Sequence, residues 1–153
     1  MGEKAKEALE LFKGGYFCSQ AVLMPFCEQL GMDRETAKKV ASGFGGGMGR
    51  MGEVCGAVTG AFCVLGLKEW KADGPSTDEK NKVSARIREF TAEFKRRHGS
   101  IVCREMLGCV IGTPEGYKEA TDKGLFVSVC RPVVEHAAEI VEQMLAEGKP
   151  GQD

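Results

Sequence analysis

Seven of the 153 residues are cysteine, at positions 18, 27, 55, 63, 103, 109 and 130. The chemistry open to them depends on the thiolate, which attacks, is oxidised and ligates metals, whereas a thiol near pKa 8.5 does so poorly. An odd count excludes a framework in which every cysteine is paired within the chain. The spacing contains no Cys-x-x-Cys and no Cys-x-x-Cys-His, so a thioredoxin-type motif, a zinc ribbon and covalent haem attachment lack their signatures. Any shared sulfur site must therefore be assembled by the fold.

The elements that would assemble it are helical. Ala5, Ala8, Leu9 and Phe12 recur at i, i+3, i+4 and i+7, and Gly14-Gly15 ends that run. A second helix is expected from Phe17 to Leu30, with Pro25 inside it, and a third after Asp33, burying Ala37, Val40, Ala41 and Phe44. Glycines crowd the stretch from Gly43 to Gly52. Glu53 to Trp70, apolar nearly all round, reads as the central buried helix. Ser76 or Thr77 caps a helix carrying Val83, Ile87, Phe90 and Phe94. Ser100 caps a short one to Leu107, Thr113 caps one from Pro114 to Lys123, and Pro132 opens the last. Leu125 to Val129 alone looks like a strand, with nothing to pair with. The expectation is all-α: a compact single-domain helical bundle over residues 1–148 with a flexible tail at 149–153.

Placed on these elements, the cysteines divide. Cys55 lies three residues after Gly52, the expected N-cap, and Cys103 three after Ser100. Cys130 precedes Pro132 at the mouth of the last helix, and Cys18 stands near the start of the second. A helix start offers unpaired N–H groups and partial positive charge, both of which favour thiolate. Cys27, Cys63 and Cys109 read as small buried hydrophobes. Gly47-Met-Gly-Arg-Met-Gly52 matches G-x-G-x-x-G only formally, because a helix rather than a strand is expected before it. Gly52, Gly56 and Gly60 make a smooth stripe suited to close backbone packing, whether internal or in a homodimer. Gly52, Gly56 and Thr59, around Cys55, are the candidate contacts to a bound group. Glu53 is a candidate proton acceptor, Arg104 and Arg131 are candidate thiolate stabilisers, His98 reads as solvated at a basic helix end, and His136, six residues after Cys130, is open to face either solvent or the cysteines.

At Cys55-Gly-Ala-Val-Thr-Gly60 the chain resembles the C-GCAxxG-C-C family, named for its cysteine pattern. The upstream cysteine matches Cys18, in Phe-Cys-Ser-Gln-Ala-Val, and the two downstream ones match Cys103 and Cys130. The resemblance spans nearly the whole chain. It implies an all-helical domain and a redox role inferred from the same four cysteines, and some relatives look as if they hold an iron–sulfur site.

Three readings follow. In the first, a pair among Cys18, Cys55, Cys103 and Cys130 cycles between dithiol and disulfide, with Cys55 the expected attacker, and needs no cofactor. In the second, the four ligate an iron–sulfur cluster or zinc in an electron-transfer module. In the third, the bundle is an interaction scaffold with inert thiols. The expected partner is a redox protein or a small thiol or disulfide. Charge is balanced, with 21 Lys and Arg against 22 Asp and Glu, so nothing electrostatic favours nucleic acid. No secretory signal or membrane-spanning run is read, so the expected compartment is the cytoplasm, where thiols stay reduced.

Overall fold

The computed structural model describes residues 2–147, and the tail expected at 149–153 lies outside them. Among the described residues there are eight α-helices and no strand. They are α1 (Glu3–Lys13), α2 (Cys18–Cys27), α3 (Arg34–Ala41), α4 (Gly56–Glu69), α5 (Thr77–His98), α6 (Cys103–Leu107), α7 (Pro114–Asp122) and α8 (Arg131–Glu147). None is long and apolar enough to cross a membrane.

Two helices share the centre. Every residue of α2 from Ser19 to Cys27 is buried, and α4 buries Gly56 to Ala61 together with Val64 and Leu65. They pack on each other, with α1 and α8 against them on one side and α3 and α5 closing the rest. Their closeness depends on missing side chains. A Cβ on Gly60 would lie 2.7 Å from the Ser19 carbonyl oxygen, and one on Gly56 would lie 2.5 Å from the Cys18 sulfur. The expected glycine stripe thus exists inside the chain, made by Gly56 and Gly60; Gly52 lies in the loop before the helix.

The polar residues of this interior are answered locally. Ser19 Oγ donates to the Ala41 carbonyl (2.7 Å) and Gln20 Nε2 to the Lys38 carbonyl (2.9 Å), tying α3 to α2. Buried Arg86 of α5 donates to Glu89 (2.7 Å) and to the Met144 carbonyl of α8 (2.8 Å), and lies 3.4 Å from buried Glu69 of α4. The buried charge joins three helices, with Nε, the atom facing Glu69, making an ion pair but no hydrogen bond.

Several local expectations change. The central helix starts at Gly56 with Cys55 as N-cap, not at Glu53 after a Gly52 cap. Residues 52–55 instead pair with 101–104, which consumes the backbone groups a longer helix would need. Val102, not Ser100, is the N-cap of α6; the Ser100 hydroxyl accepts from the Val102 N–H one step earlier. The strand-like run is a π-helical turn, Phe126–Cys130, running straight into α8. With no strand beside it, its backbone groups are satisfied only by helical bonds. Val40, expected inside, is half exposed.

His98 and His136 meet where α5 crosses α8. His136 Nδ1 lies 3.0 Å from His98 Nε2, and the His98 ring packs on Phe94. Arg97 beside them is held by Glu93 and Glu139. Burial, the neighbouring imidazole and Arg97 all lower the His98 pKa.

Two predictions follow from this packing. Gly60→Ala should cost about 1–3 kcal/mol by overpacking, seen as a lower thermal midpoint by circular dichroism. Gly66→Ala, on the same helix with open space around it, should be neutral or stabilise by up to about 1 kcal/mol. A His98 pKa lowered by folding leaves its stabilisation complete above the unfolded value of about 6.5 and lost as pH falls through the folded value. Acidifying from pH 7.5 to 5 should therefore lower the midpoint more in the native chain than in His136→Gln, and equal slopes would refute it.

Candidate functional site

One cavity of about 240 Å³ is lined by Cys18, Cys55, Cys103 and Cys130. The four positions picked from the sequence therefore share one space, while Cys27 and Cys63 do not reach it. Each sulfur comes from a different element. Cys18 is the first residue of α2, Cys55 caps α4, Cys103 is the first residue of α6, and Cys130 ends the π-helical turn. Cys130 differs from its expected setting, because the chain is helical on both sides of it and no fresh helix start polarises it.

A short antiparallel crossing brings two of these starts together. Val54 bridges Val102, the Cys55 N–H donates to the Ile101 carbonyl (2.8 Å), and the Cys103 N–H donates to the Glu53 carbonyl (2.7 Å). Arg104 extends the crossing by donating to the Gly52 carbonyl from its backbone N–H and its guanidinium, both at 3.1 Å. It also pairs with Glu53 at 3.0 Å. The candidate proton acceptor Glu53 and the candidate thiolate stabiliser Arg104 thus neutralise each other at the surface, and neither they nor Arg131 line the cavity.

The loop before Cys55 has an unusual backbone. Residues Gly46 to Arg50 all have positive φ, between 62° and 74°, so the chain makes a left-handed turn. That conformation costs a non-glycine residue roughly 1–2 kcal/mol, and Met48 and Arg50 both adopt it. Cross-loop bonds hold the turn, among them Gly49 N–H to Gly43 (2.9 Å) and Glu53 N–H to Gly47 (2.9 Å). It follows a helix, so the formal G-x-G-x-x-G match has no strand before it and no dinucleotide-binding context.

What the turn supplies is a donor. The Cys18 sulfur lies against the start of α4, where a Cβ on Gly56 would stand 2.5 Å from it, and the Cys55 thiol and the N–H groups of Gly46, Ser19 and Ala57 favour its charged form. Donors aimed at a charged form stabilise it, and here they outweigh burial. The Cys18 pKa is lowered to about 7, with the Cys55 bond the largest cause. Cys55 keeps the proton it donates, so its own pKa rises well above the usual thiol range. Cys103 has no such cradle and is pushed up to about 11 by burial, then by the charges of Cys18 and Cys109. Cys130 goes up to about 12 by burial and by Cys18, Cys103 and Cys109. Cys18, rather than the expected Cys55, carries the low-pKa sulfur. Cys109, set aside in the sequence as a passenger, is near enough to act electrostatically on two of the cavity thiols.

The candidate contact residues fall beside the cavity. Gly56 backs the Cys18 sulfur, Gly52 receives Arg104, and the Thr59 hydroxyl donates to the carbonyls of its own helix at Gly56 (3.2 Å) and Cys55 (3.5 Å). The walls that local spacing does not report are aromatic and aliphatic, including Phe12, Tyr16, Phe17 and Phe126, with Arg50 the one charged lining residue among those described. Arg50 stood in the glycine-rich segment, which was the signal available for it. Among the described residues no group of three or more His, Cys, Asp or Glu is gathered so as to hold a metal ion. As they stand, the four sulfurs do not form a ligand cage.

Fold and site together define an all-helical, cysteine-rich domain with four cysteines around one small cavity. The family model described as "Putative redox-active protein (C_GCAxxG_C_C)" matches residues 16–144, and the chain belongs to that family. No curated protein and no solved structure matches it.

These electrostatics predict one fast thiol. Near pH 7.5, iodoacetamide should label Cys18 far ahead of Cys103 and Cys130, with a rate midpoint near pH 7, read by peptide mass spectrometry. Cys55→Ala should raise that midpoint, whereas Cys55→Ser, which keeps an O–H donor, should raise it less. Equal, slow labelling of all four would instead indicate inert thiols.

Proposed function

We propose that the protein is a dithiol–disulfide redox protein in which Cys18 and Cys55 form the working pair. The Cys18 thiolate attacks a sulfur of an incoming disulfide, giving a mixed disulfide and releasing the other sulfur as a thiolate, which takes a proton from water. Cys55 then gives up its proton and attacks the Cys18 sulfur, releasing the second thiol and closing the Cys18–Cys55 bond. The pair loses two electrons and the substrate disulfide gains them; the reverse sequence, driven by a dithiol, resets the protein. The single observation carrying this reading is geometric: the Cys18 sulfur sits against the first turn of the helix that Cys55 caps, and both cysteines line the same cavity. It sets a nucleophile active near neutral pH beside a second cysteine.

Cys103 and Cys130 share the cavity and act as a second pair to which oxidation can pass by exchange. The partner on this reading is a redox protein or a small thiol or disulfide, in a reducing compartment such as the cytoplasm. The iron–sulfur or zinc alternative uses the same four sulfurs, but their arrangement does not favour it.

Treating the reduced protein with diamide, a general thiol oxidant, should lower its mass by two hydrogens and yield a Cys18–Cys55 crosslinked peptide. Cys55→Ser should stop at a mixed disulfide on Cys18 when a small disulfide is supplied. Stoichiometric iron with sulfide, or zinc, in protein purified without oxygen would overturn the reading in favour of the ligand role.

A further inference from the structure

The cavity is small, and its chemistry is lopsided. A cavity of about 150 Å³ holds benzene, so one of about 240 Å³ takes roughly ten non-hydrogen atoms on the same scale. Its lining is chiefly apolar and aromatic, with Phe12, Tyr16, Phe17 and Phe126 among the walls. Such a space disfavours a molecule carrying several charges or backbone amides, because each would lose water without a partner.

One group breaks that pattern. Among the described residues Arg50 is the only charged one on the lining and makes no ion pair, and it is exposed. Its guanidinium carbon stands 5.4 Å from the centre of the Phe17 ring. Its backbone lies in the left-handed turn that also supplies the Gly46 donor to Cys18. The same loop therefore presents a cation near the solvent side of the cavity and helps to hold the nucleophilic sulfur at its wall. A guanidinium recognises a carboxylate by paired N–H bonds.

We infer that the cavity takes a small, apolar organic disulfide ending in a single carboxylate, with the carboxylate at Arg50 and the disulfide at Cys18. This rests on the redox pair proposed above and names its substrate class. A cyclic disulfide meets the requirement in one molecule. Attack by the Cys18 thiolate breaks the ring S–S bond and makes a mixed disulfide with a free thiolate at the far end of the opened ring. That thiolate takes the Cys55 proton. Cys55 then attacks the Cys18 sulfur, the Cys18–Cys55 bond forms, and the ring-opened product leaves with its second sulfur as a thiolate, which water protonates. Two electrons pass from protein to substrate with no further oxidant or reductant.

Lipoate is the probe: it has an apolar ring and chain, one carboxylate and about the right size. Lipoamide is its neutral counterpart, and oxidised glutathione is a larger, multiply charged disulfide. Reduced full-length protein is mixed anaerobically with each, and Cys18–Cys55 formation is followed by mass together with release of product thiol. The expected result is a higher kcat/KM for lipoate than for lipoamide by about tenfold, the worth of one charge-assisted contact. Oxidised glutathione should be slower than both. Arg50→Gln should abolish the preference for lipoate over lipoamide, and Arg50→Lys should restore part of it. Equal rates for lipoate and lipoamide in the native chain, or glutathione disulfide as the fastest substrate, overturn the proposal. Diamide separates the two levels. A Cys18–Cys55 bond formed with diamide but not with lipoate rejects this substrate class and leaves the redox pair standing, whereas no such bond with diamide rejects both.

Discussion

The approach of α2 to α4 is the constraint on which the rest of the molecule depends. Gly56 and Gly60 carry no Cβ, so the Ser19 carbonyl and the Cys18 sulfur can sit where side-chain atoms would otherwise be. That contact buries both central helices and fixes the start of one against the start of the other. The same spacing that makes the core makes the site. Ala57, in the first turn of α4, can donate to a sulfur on α2 only because the two backbones are this close. The Cys-Gly-Ala-x-x-Gly pattern thus combines a functional residue, a vacancy for its partner and a second vacancy one turn on.

Within the cavity, two opposing effects act on chemically identical groups. Burial raises every one of the four thiols, since a charged sulfur loses solvation. For Cys18 alone, donors reverse the outcome, and three of them are backbone N–H groups whose positions the fold holds. Cys103 begins a helix as Cys18 does, yet its N–H is committed to Glu53 and its sulfur lacks a comparable cradle, so burial prevails. A helix start is therefore not sufficient to activate a thiol here. What matters is how many donors converge on the sulfur.

Much of this was readable in the residues, and the failures have physical causes. The helical class, the glycine contact and the choice of four cysteines out of seven came from periodicity, small-residue spacing and position on the elements. Three of those four do stand at helix starts or caps. Cys130 does not, because Pro132 is accommodated in a continuous helical run begun by a π turn instead of opening a new one. The run from Leu125 to Val129 carries strand-forming residues, but tertiary context decided its conformation. The leading thiol was misassigned because hydrogen-bond convergence joins Gly46, Cys55 and Ala57 to Cys18 across the fold, which local spacing does not report. Sequence neighbours suggest Arg104 as a thiolate stabiliser and Glu53 as a proton acceptor, whereas the crossing of 52–55 with 101–104 turns them towards each other.

The mutual charging of the sulfurs has a directional consequence. Part of what keeps Cys103 and Cys130 protonated is the negative charge on Cys18. If that sulfur is drawn into a disulfide, its charge disappears, and each of the two becomes easier to ionise than before. The cavity then behaves as a staircase, in which taking the first step lowers the next one. Order of reaction among four like side chains would come from the bookkeeping of a single charge, with no moving part required.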